Sequence, residues 1–283
     1  MGIRILRMED LDFAAAVTRA EGWYYTPREL EVMLRLDPEG SFIFEDGEPL
    51  GIATTVTYGR TGVLGHLVVS EKGRGKRIGS ALLSAAIDYM TGRNVESMLL
   101  YSAADAVKMY ERKGFRALDD IKCMHLHLDA DHRKTASPGC RPMKRSDVKE
   151  VAEIDERLFG DDRRPLIEVL FEEGPKHSFK IERDGRIEAF IMARHDHDGY
   201  DLGPWVCTNG SPKDAEDLFW TALSTMEDGT VYMGSFFKNQ PALRITDQVP
   251  MVRHWRIPLM VRGKGRYEGD LDGLYGVAAF ELG

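Results

Sequence analysis

Two stretches of this chain, set one above the other, carry the same pattern. "IRILRMEDLDFAA" places Arg4, Leu6, Arg7, Asp10, Leu11 and Ala14 where "CRPMKRSDVKEVA" places Arg141, Met143, Lys144, Asp147, Val148 and Val151. Each reads as a short strand, a helix cap and an amphipathic helix. Further on, "FIFEDGEPLGIATTV" and "FKIERDGRIEAFIMA" each join two apolar runs through Asp-Gly, at Asp46-Gly47 and Asp184-Gly185. Asp-Gly accepts the positive φ angles of a tight hairpin turn, so both stretches predict β-hairpins. Two coincidences at a nearly constant offset point to a tandem duplication. The expected division is a first domain at 1–128, a polar linker "DADHRKTASPGC" at 129–140, and a second domain at 141–283. Strands and helices alternate irregularly in the first half, which makes the class α+β.

Composition excludes more than it identifies. No apolar run approaches the roughly 20 residues needed to span a bilayer. The opening "MGIRILRMED" lacks a continuous apolar core and is not read as a signal peptide, so a cytoplasmic location is expected. Gly2 lacks the Ser or Thr that a myristoylation signal wants at position six, where Leu6 stands. The cysteines, Cys123, Cys140 and Cys207, are far apart and odd in number, so neither a disulfide framework nor a zinc site is expected. "HDHDG", His195 to Gly199, reads as a hydrated turn between strands rather than a metal site. A net charge of −8 disfavours nucleic acid as a partner, and no membrane partner is expected.

Chemistry concentrates in "VVSEKGRGKRIGSALL", Val68 to Leu83. An apolar strand, Val63 to Ser70, feeds three glycines and four basic residues. Helix-period apolar positions follow at Ile78, Leu82, Ala85 or Ala86, and Tyr89. A loop at a helix N-terminus gathers unpaired backbone amides and the positive end of the helix dipole, which suits a phosphate or pyrophosphate. A Walker A loop needs Lys after its last glycine, but Ser80 follows Gly79. A Rossmann fingerprint fits badly too, because "GRGKRIG" carries an additional residue before its last glycine.

The stretch resembles the acyl-CoA-binding loop of GNAT-type N-acyltransferases, whose signature is Arg or Gln, two residues, Gly, one residue, then Gly or Ala. Arg74 takes the first place, Gly79 the last, and Arg77 replaces the middle glycine. The chain is expected to be helical already at Arg77, where a Cβ is tolerated. "AADAVKMYERKGF" is similar to the family's later helix, with Tyr110 four residues before Gly114-Phe115; Ala103 stands where an Asn is frequent. The resemblance covers residues 2 to 128. It implies two tandem GNAT-like domains, each a central mixed, mostly antiparallel β-sheet flanked by helices. It also implies acetyl-CoA as cosubstrate and no metal. Strand Gly65–Val69 would pair with the pantetheine arm, Val68 or Val69 would donate to the thioester carbonyl, and amides from Gly75 through Lys76, Arg77, Ile78 and Gly79 to Ser80 would hold the pyrophosphate.

The implied reaction is direct attack of a primary amine on the thioester, with Tyr110 protonating the departing thiolate. Tyr110 packing in its helix is the bland alternative. The family frequently uses a Glu on the strand before the loop as base; "GVLGHLVVS" has no acid. His66 is the candidate base there, and a histidine packed on a sheet face is the alternative. Trp23, Tyr24 and Tyr25 stand where the family builds its acceptor wall and can hold an amine by cation–π contact, or simply cover the core. A small amine or amino acid is the expected acceptor, a protein amine the next. In the second half, "TNGSPKDAEDLFW" has one glycine and places Asp214, Glu216 and Asp217 in the first turns of a helix, where they repel a pyrophosphate. That half is expected to be a degenerate domain. "FGDDR" and "LYGVAAFELG" resemble the C-terminal domain of tandem GNAT proteins. The competing class is a non-catalytic acyl-CoA sensor or scaffold.

Overall fold

The computed structural model describes residues 2–23, 25–196, 198–263, 269 and 271–283. The first half runs β1 (Gly2–Ile5), α1 (Leu11–Ala20), α2 (Pro27–Leu36), β2 (Ser41–Glu45), β3 (Pro49–Tyr58), β4 (Thr61–Leu64), β5 (Val68–Val69), α3 (Ile78–Gly92), β6 (Ser97–Tyr101), α4 (Val107–Glu111) and β7 (Arg116–Leu128). The second runs β8 (Arg141–Pro142), α5 (Val148–Phe159), α6 (Arg164–Glu173), β9 (Phe179–Arg183), β10 (Arg186–Asp196), β11 (Gly199–Cys207), α7 (Pro212–Leu223), β12 (Gly229–Phe236), α8 (Gln240–Thr246), β13 (Met251–Gly263) and β14 (Leu274–Gly276). Sheets in both halves are mixed and mostly antiparallel, with helices on their faces, as the resemblance implies. No helix among the described residues is long and apolar enough to cross a membrane.

The local signals hold. Glu45 faces Pro49 across the first Asp-Gly turn, and Arg183 faces Arg186 across the second. Asp184 and Gly185 have φ of 51° and 74°, the mirror-image turn that matches strand twist. Thr26 caps α2 through the Glu29 amide, and Glu29 reaches back to the Thr26 amide, closing the box that "TPRE" predicts. "HDHDG" bridges β10 and β11, with Asp196 opposite Gly199; His197 lies outside the described residues.

The chain forms two compact units that do not divide at its midpoint. Unit 1 takes residues 1–116 together with 260–267 and 281–283; unit 2 takes the remainder. This differs from the division expected at 128 and 141. Strand β7 follows α4 in sequence yet lies in unit 2, where it pairs antiparallel with β12 from Leu128↔Gly229 to Ile121↔Phe236. The end of β13 instead completes the sheet of unit 1 beside β6. A Cβ on Gly263 would stand 1.9 Å from the Glu96 carbonyl oxygen, so only glycine allows that approach. The first half therefore gives β7 to unit 2, and the second gives the end of β13 to unit 1. A strand's backbone groups need a partner, but the hydrophobic alternation that marks a strand does not name one.

In unit 1 the sheet order is β1-β2-β3-β4-β6, then residues 260–263. Both faces are covered. Phe42 and Phe44 of β2 meet Leu82, Leu83, Ala86 and Met90 of α3, while Ile43 between them joins Leu11, Ala14 and Leu30 of α1 and α2. In unit 2, Trp205, Phe219 and Tyr275 share the core, and Asp155 and Arg163 of "FGDDR" and its preceding helix form a fully buried pair at 2.7 Å over Phe159.

Candidate functional site

Strand β4 does not run smoothly into β5. Thr55 pairs with Leu64 and Ile52 with Val68, so Gly65, His66 and Leu67 face only Ala53 and Thr54. The additional residue is a β-bulge, which bends the strand. The parallel pairing of β4 with β6 ends at Leu64↔Leu100, and among the described residues β5 keeps β3 as its strand partner. Among the described residues its other edge is open. Ser70 donates to the Leu50 carbonyl of β3 at 2.8 Å. Successive strand amides alternate between edges, so the Val69 amide points to the open edge and that of Val68 to β3. Val68 itself is buried against α1.

After β5 the chain makes one short turn, Glu71–Gly73, and enters α3 at Ile78. Gly75 has φ of 76°. Arg77 is the N-cap of α3 with φ 62° and ψ 15°, left-handed backbone rather than the helical residue expected from the sequence. That conformation suits glycine and costs a Cβ-bearing residue about 1–2 kcal/mol, so here the family's middle glycine is replaced at a position where its freedom is used. Among the described residues none accepts a hydrogen bond from the amides of Gly75, Arg77, Ile78, Gly79 and Ser80.

These amides line an open groove of about 630 Å³ with Val69, Gly73, Arg74, Gly75, Arg77, Ile78, Gly79 and Ser80 on one side. Met109, Arg112 and Lys113 form the other wall. Of the cations, Arg74 pairs with Glu21 and Lys72 with Glu48. Lys113 donates to Ser84 Oγ at 2.8 Å. Lys76, Arg77 and Arg112 have no ion pair among the described residues. Free amides, a helix dipole and unengaged cations are the features that suit a groove to hold an anion. The second wall was not singled out from the sequence, although Arg112-Lys113 stands next to Gly114-Phe115.

Tyr110 lies on α4 between groove residues, but its ring is 6 % exposed and meets Phe115 edge-on at 5.8 Å. Burial, with Asp105 adding to it, pushes the phenol far above its ordinary value. Tyr110 thus keeps its proton throughout the neutral and moderately alkaline range.

His66 sits in the bulge and is 3 % exposed. Thr54 Oγ1 accepts from its backbone amide at 2.9 Å and lies 3.1 Å from its Nδ1. Its Nε2 is buried without a hydrogen-bond partner. Desolvation pushes the imidazole down to about 4, so it is neutral but weakly basic. An unfolded imidazole takes its proton near pH 6.5 and the folded one only near 4, so the folded state is fully favoured above pH 6.5 and loses ground as pH falls. Between pH 6.5 and 4 the expected loss is about 3 kcal/mol from this group. Urea unfolding at pH 7 and pH 4.5 checks this: the wild type loses stability on acidification, and His66→Asn loses less.

Of the aromatic trio, Trp23 is 39 % exposed and Tyr24 lies outside the described residues. Tyr25 meets the His66 ring edge-on at 4.4 Å and donates to Glu281 Oε2 at 3.0 Å. Glu281 belongs to unit 1 and was not singled out from the sequence. No local pattern connects it to residues 25 or 66.

Unit 2 repeats the bulge and fills what unit 1 leaves open. The pairing of β10 with β11 shifts register between Ile191↔Trp205 and Ala193↔Leu202. Parallel pairing of β11 with β12 covers Gly199 to Asp201. Beyond the bulge, β14 takes the edge of β11, with Trp205 opposite Gly276 and Val206 opposite Leu274. Ser235 Oγ of β12 donates to the Tyr275 carbonyl at 2.6 Å, so β14 lies between both strands. A Cβ on Gly203 would meet the Val277 carbonyl at 1.8 Å. At the N-terminus of α7, Asp214 is 6 % exposed and holds Arg183 at 2.8 and 2.9 Å, which keeps its carboxyl below the usual range. A resident carboxylate thus occupies the helix end. Among the described residues no group of three His, Cys, Asp or Glu side chains is placed to hold a metal ion.

Comparisons with known proteins agree with this geometry. The model of the acetyltransferase (GNAT) family matches residues 4–115, and a second GNAT acetyltransferase domain model matches 151–276. Holothin acyltransferase of a Pseudoalteromonas species is 25 % identical over 214 residues, 75 % of this chain and 70 % of its own. Mycothiol acetyltransferase of Stackebrandtia nassauensis is 31 % identical over 125 residues, 40 % of each chain. A crystal structure from Pyrococcus horikoshii superposes with TM-score 0.81 at 19 % identity, covering 99 % of this chain and 95 % of that one. A GCN5-related N-acetyltransferase from Sphaerobacter thermophilus gives 0.66 at 16 %, covering 94 % and 98 %. With a bulged strand and open helix N-terminus in the first half, their filled counterparts in the second, and a family model on each, the chain belongs to the GNAT acetyltransferase family, as two tandem domains.

Proposed function

We propose that this chain is an N-acetyltransferase that moves an acetyl group from acetyl-CoA to a primary amine by direct attack. The observation that carries the reading is the groove at α3, where free amides of Gly75 and Arg77 to Ser80 meet the unengaged Arg77 and Arg112. A diphosphate satisfies both. The open edge of β5 supports the other end of the ligand. In unit 2 the corresponding edge takes β14, an extended segment of the chain itself. In unit 1 the pantetheine arm would take that place, its amides pairing with the backbone about Val69.

The Val69 amide would then donate to the thioester carbonyl and stabilise the oxyanion that forms on attack. Tyr110, kept protonated by burial, would give its proton to the departing thiolate. Lys76 and Arg77 would neutralise the phosphates, and Arg74 would join them by leaving Glu21. Trp23 and Tyr25 would line the amine side. The relatives named for holothin and mycothiol support a small-molecule acceptor ahead of a protein amine. In unit 2, β14 on the edge of β11 and Asp214 at the start of α7 would exclude an arm and a phosphate, so one acetyl-CoA per chain is expected.

Titration with acetyl-CoA and measurement of CoA release over a panel of amines test the reading. One site per chain and amine-dependent release support it. Saturable binding with no release by any amine would instead make the chain a sensor.

A further inference from the structure

An aliphatic amine reaches a thioester as its ammonium form, and β4, the bulge and β5 carry no acid to take its proton. A carboxylate nevertheless stands beside that bulge. Glu281 is 9 % exposed and accepts from the Tyr25 hydroxyl at 3.0 Å. It presses on Gly65, the first residue of the bulge, so closely that a Cβ there would meet Glu281 Cβ at 2.9 Å and its Cα at 3.2 Å. His66 follows, its ring edge-on to Tyr25 at 4.4 Å and its buried Nε2 without a partner. Glu281 thus brings to the bulge the carboxylate that its own strands lack, while His66 in that bulge keeps a buried ring nitrogen unsatisfied.

We propose that Glu281 is the proton acceptor of the acetyl transfer, binding the acceptor's ammonium together with the Tyr25 hydroxyl and the His66 ring. The inference rests on the acetyl-CoA reading of the groove. Glu281 takes one proton from the ammonium. The nitrogen lone pair so released attacks the thioester carbon, a C–N bond forms, and the C–S bond breaks with its electron pair on sulfur. Tyr110 protonates the thiolate and is reprotonated by the second proton that nitrogen loses, and Glu281 returns the first to solvent. The acceptor class is thus a cationic primary amine, recognised by one carboxylate.

Hydroxylamine separates this role from a structural one, because it is already neutral at pH 7 and needs no base. The experiment follows CoA release by the full chain with hydroxylamine and with butylamine, putrescine and 2-phenylethylamine. Glu281→Gln is expected to lower kcat for the best of the three ammonium-type amines by about 10²-fold or more. Its turnover of hydroxylamine stays close to that of the wild type, as does its thermal midpoint. Tyr25→Phe, which removes the hydrogen bond and leaves the carboxylate, lowers the same ratio to a smaller extent. An equal loss with both kinds of nucleophile, or no loss with either, overturns the proposal. So does a wild-type chain that acetylates hydroxylamine but none of the three amines. Acetyl-CoA affinity is titrated on the same proteins, so a wild type that fails to bind it counts against the groove and not against Glu281.

Discussion

Gly79→Asp is expected to abolish acetyl-CoA binding while making the protein no less stable. Gly79 is the second residue of α3, and the first-turn amides beside it face the groove. A Cβ there meets only Val69 Cγ2, at an ordinary 3.5 Å, so the substitution fits. Its carboxylate then stands among the amides where a diphosphate would lie. At a separation of about 4 Å and an effective dielectric constant near 20, each pair of like charges costs about 4 kcal/mol, or roughly a 10³-fold loss of affinity. The helix responds with the opposite sign. An acid in the first turn complements the dipole by about 0.3–1 kcal/mol, and removing a helical glycine adds about 0.5–1 kcal/mol. Titration and a thermal melt on one sample therefore move in opposite directions. Unchanged affinity would remove the groove as the phosphate site.

Tyr110→Phe is expected to lower kcat by about 10²-fold or more and to leave acetyl-CoA affinity unchanged. The ring keeps its packing on Phe115, and loss of one hydroxyl leaves no cavity. What goes is the proton for the departing sulfur. Because burial raises the phenol's pKa, the folded protein holds that proton well past the pH at which a free tyrosine ionises. The wild-type rate should accordingly show no alkaline decline from this group through pH 10. Steady-state kinetics across that range, with CoA titration of the variant, check both statements. An unchanged kcat would move the acid elsewhere and leave Tyr110 as the packing residue it also is.

How legible the site was depended on how far apart its parts lie in the chain. The Asp-Gly hairpins and the Thr26–Glu29 box are contacts within a few residues, and the pattern that encodes them is the structure itself. The loop at Arg74 to Ser80 was readable for the same reason, since a strand, a turn and a helix start follow in order. Arg77 was misplaced by one step: sequence periodicity placed it inside the helix, and the structure makes it the left-handed cap. Boundaries of that kind depend on backbone angles that a basic residue does not advertise. Arg112 and Lys113 reached the groove because α4 packs beside α3, which spacing alone did not state.

By itself the sequence determined the duplication, the α+β class, the strand–loop–helix from Val68 onward, and the acidic helix start that stands in the second half instead. Each follows from near-neighbour chemistry: alternation, turn residues, caps, and the sign of charge at a helix end. Tertiary structure alone decided that β7 and the end of β13 serve opposite units, and that β14 takes the edge of β11 in unit 2. It alone brought Glu281 to Tyr25 across 256 positions of chain. Backbone hydrogen bonds are the same for every sequence, and a side chain meets distant partners only after the sheet has formed. No local pattern can name either.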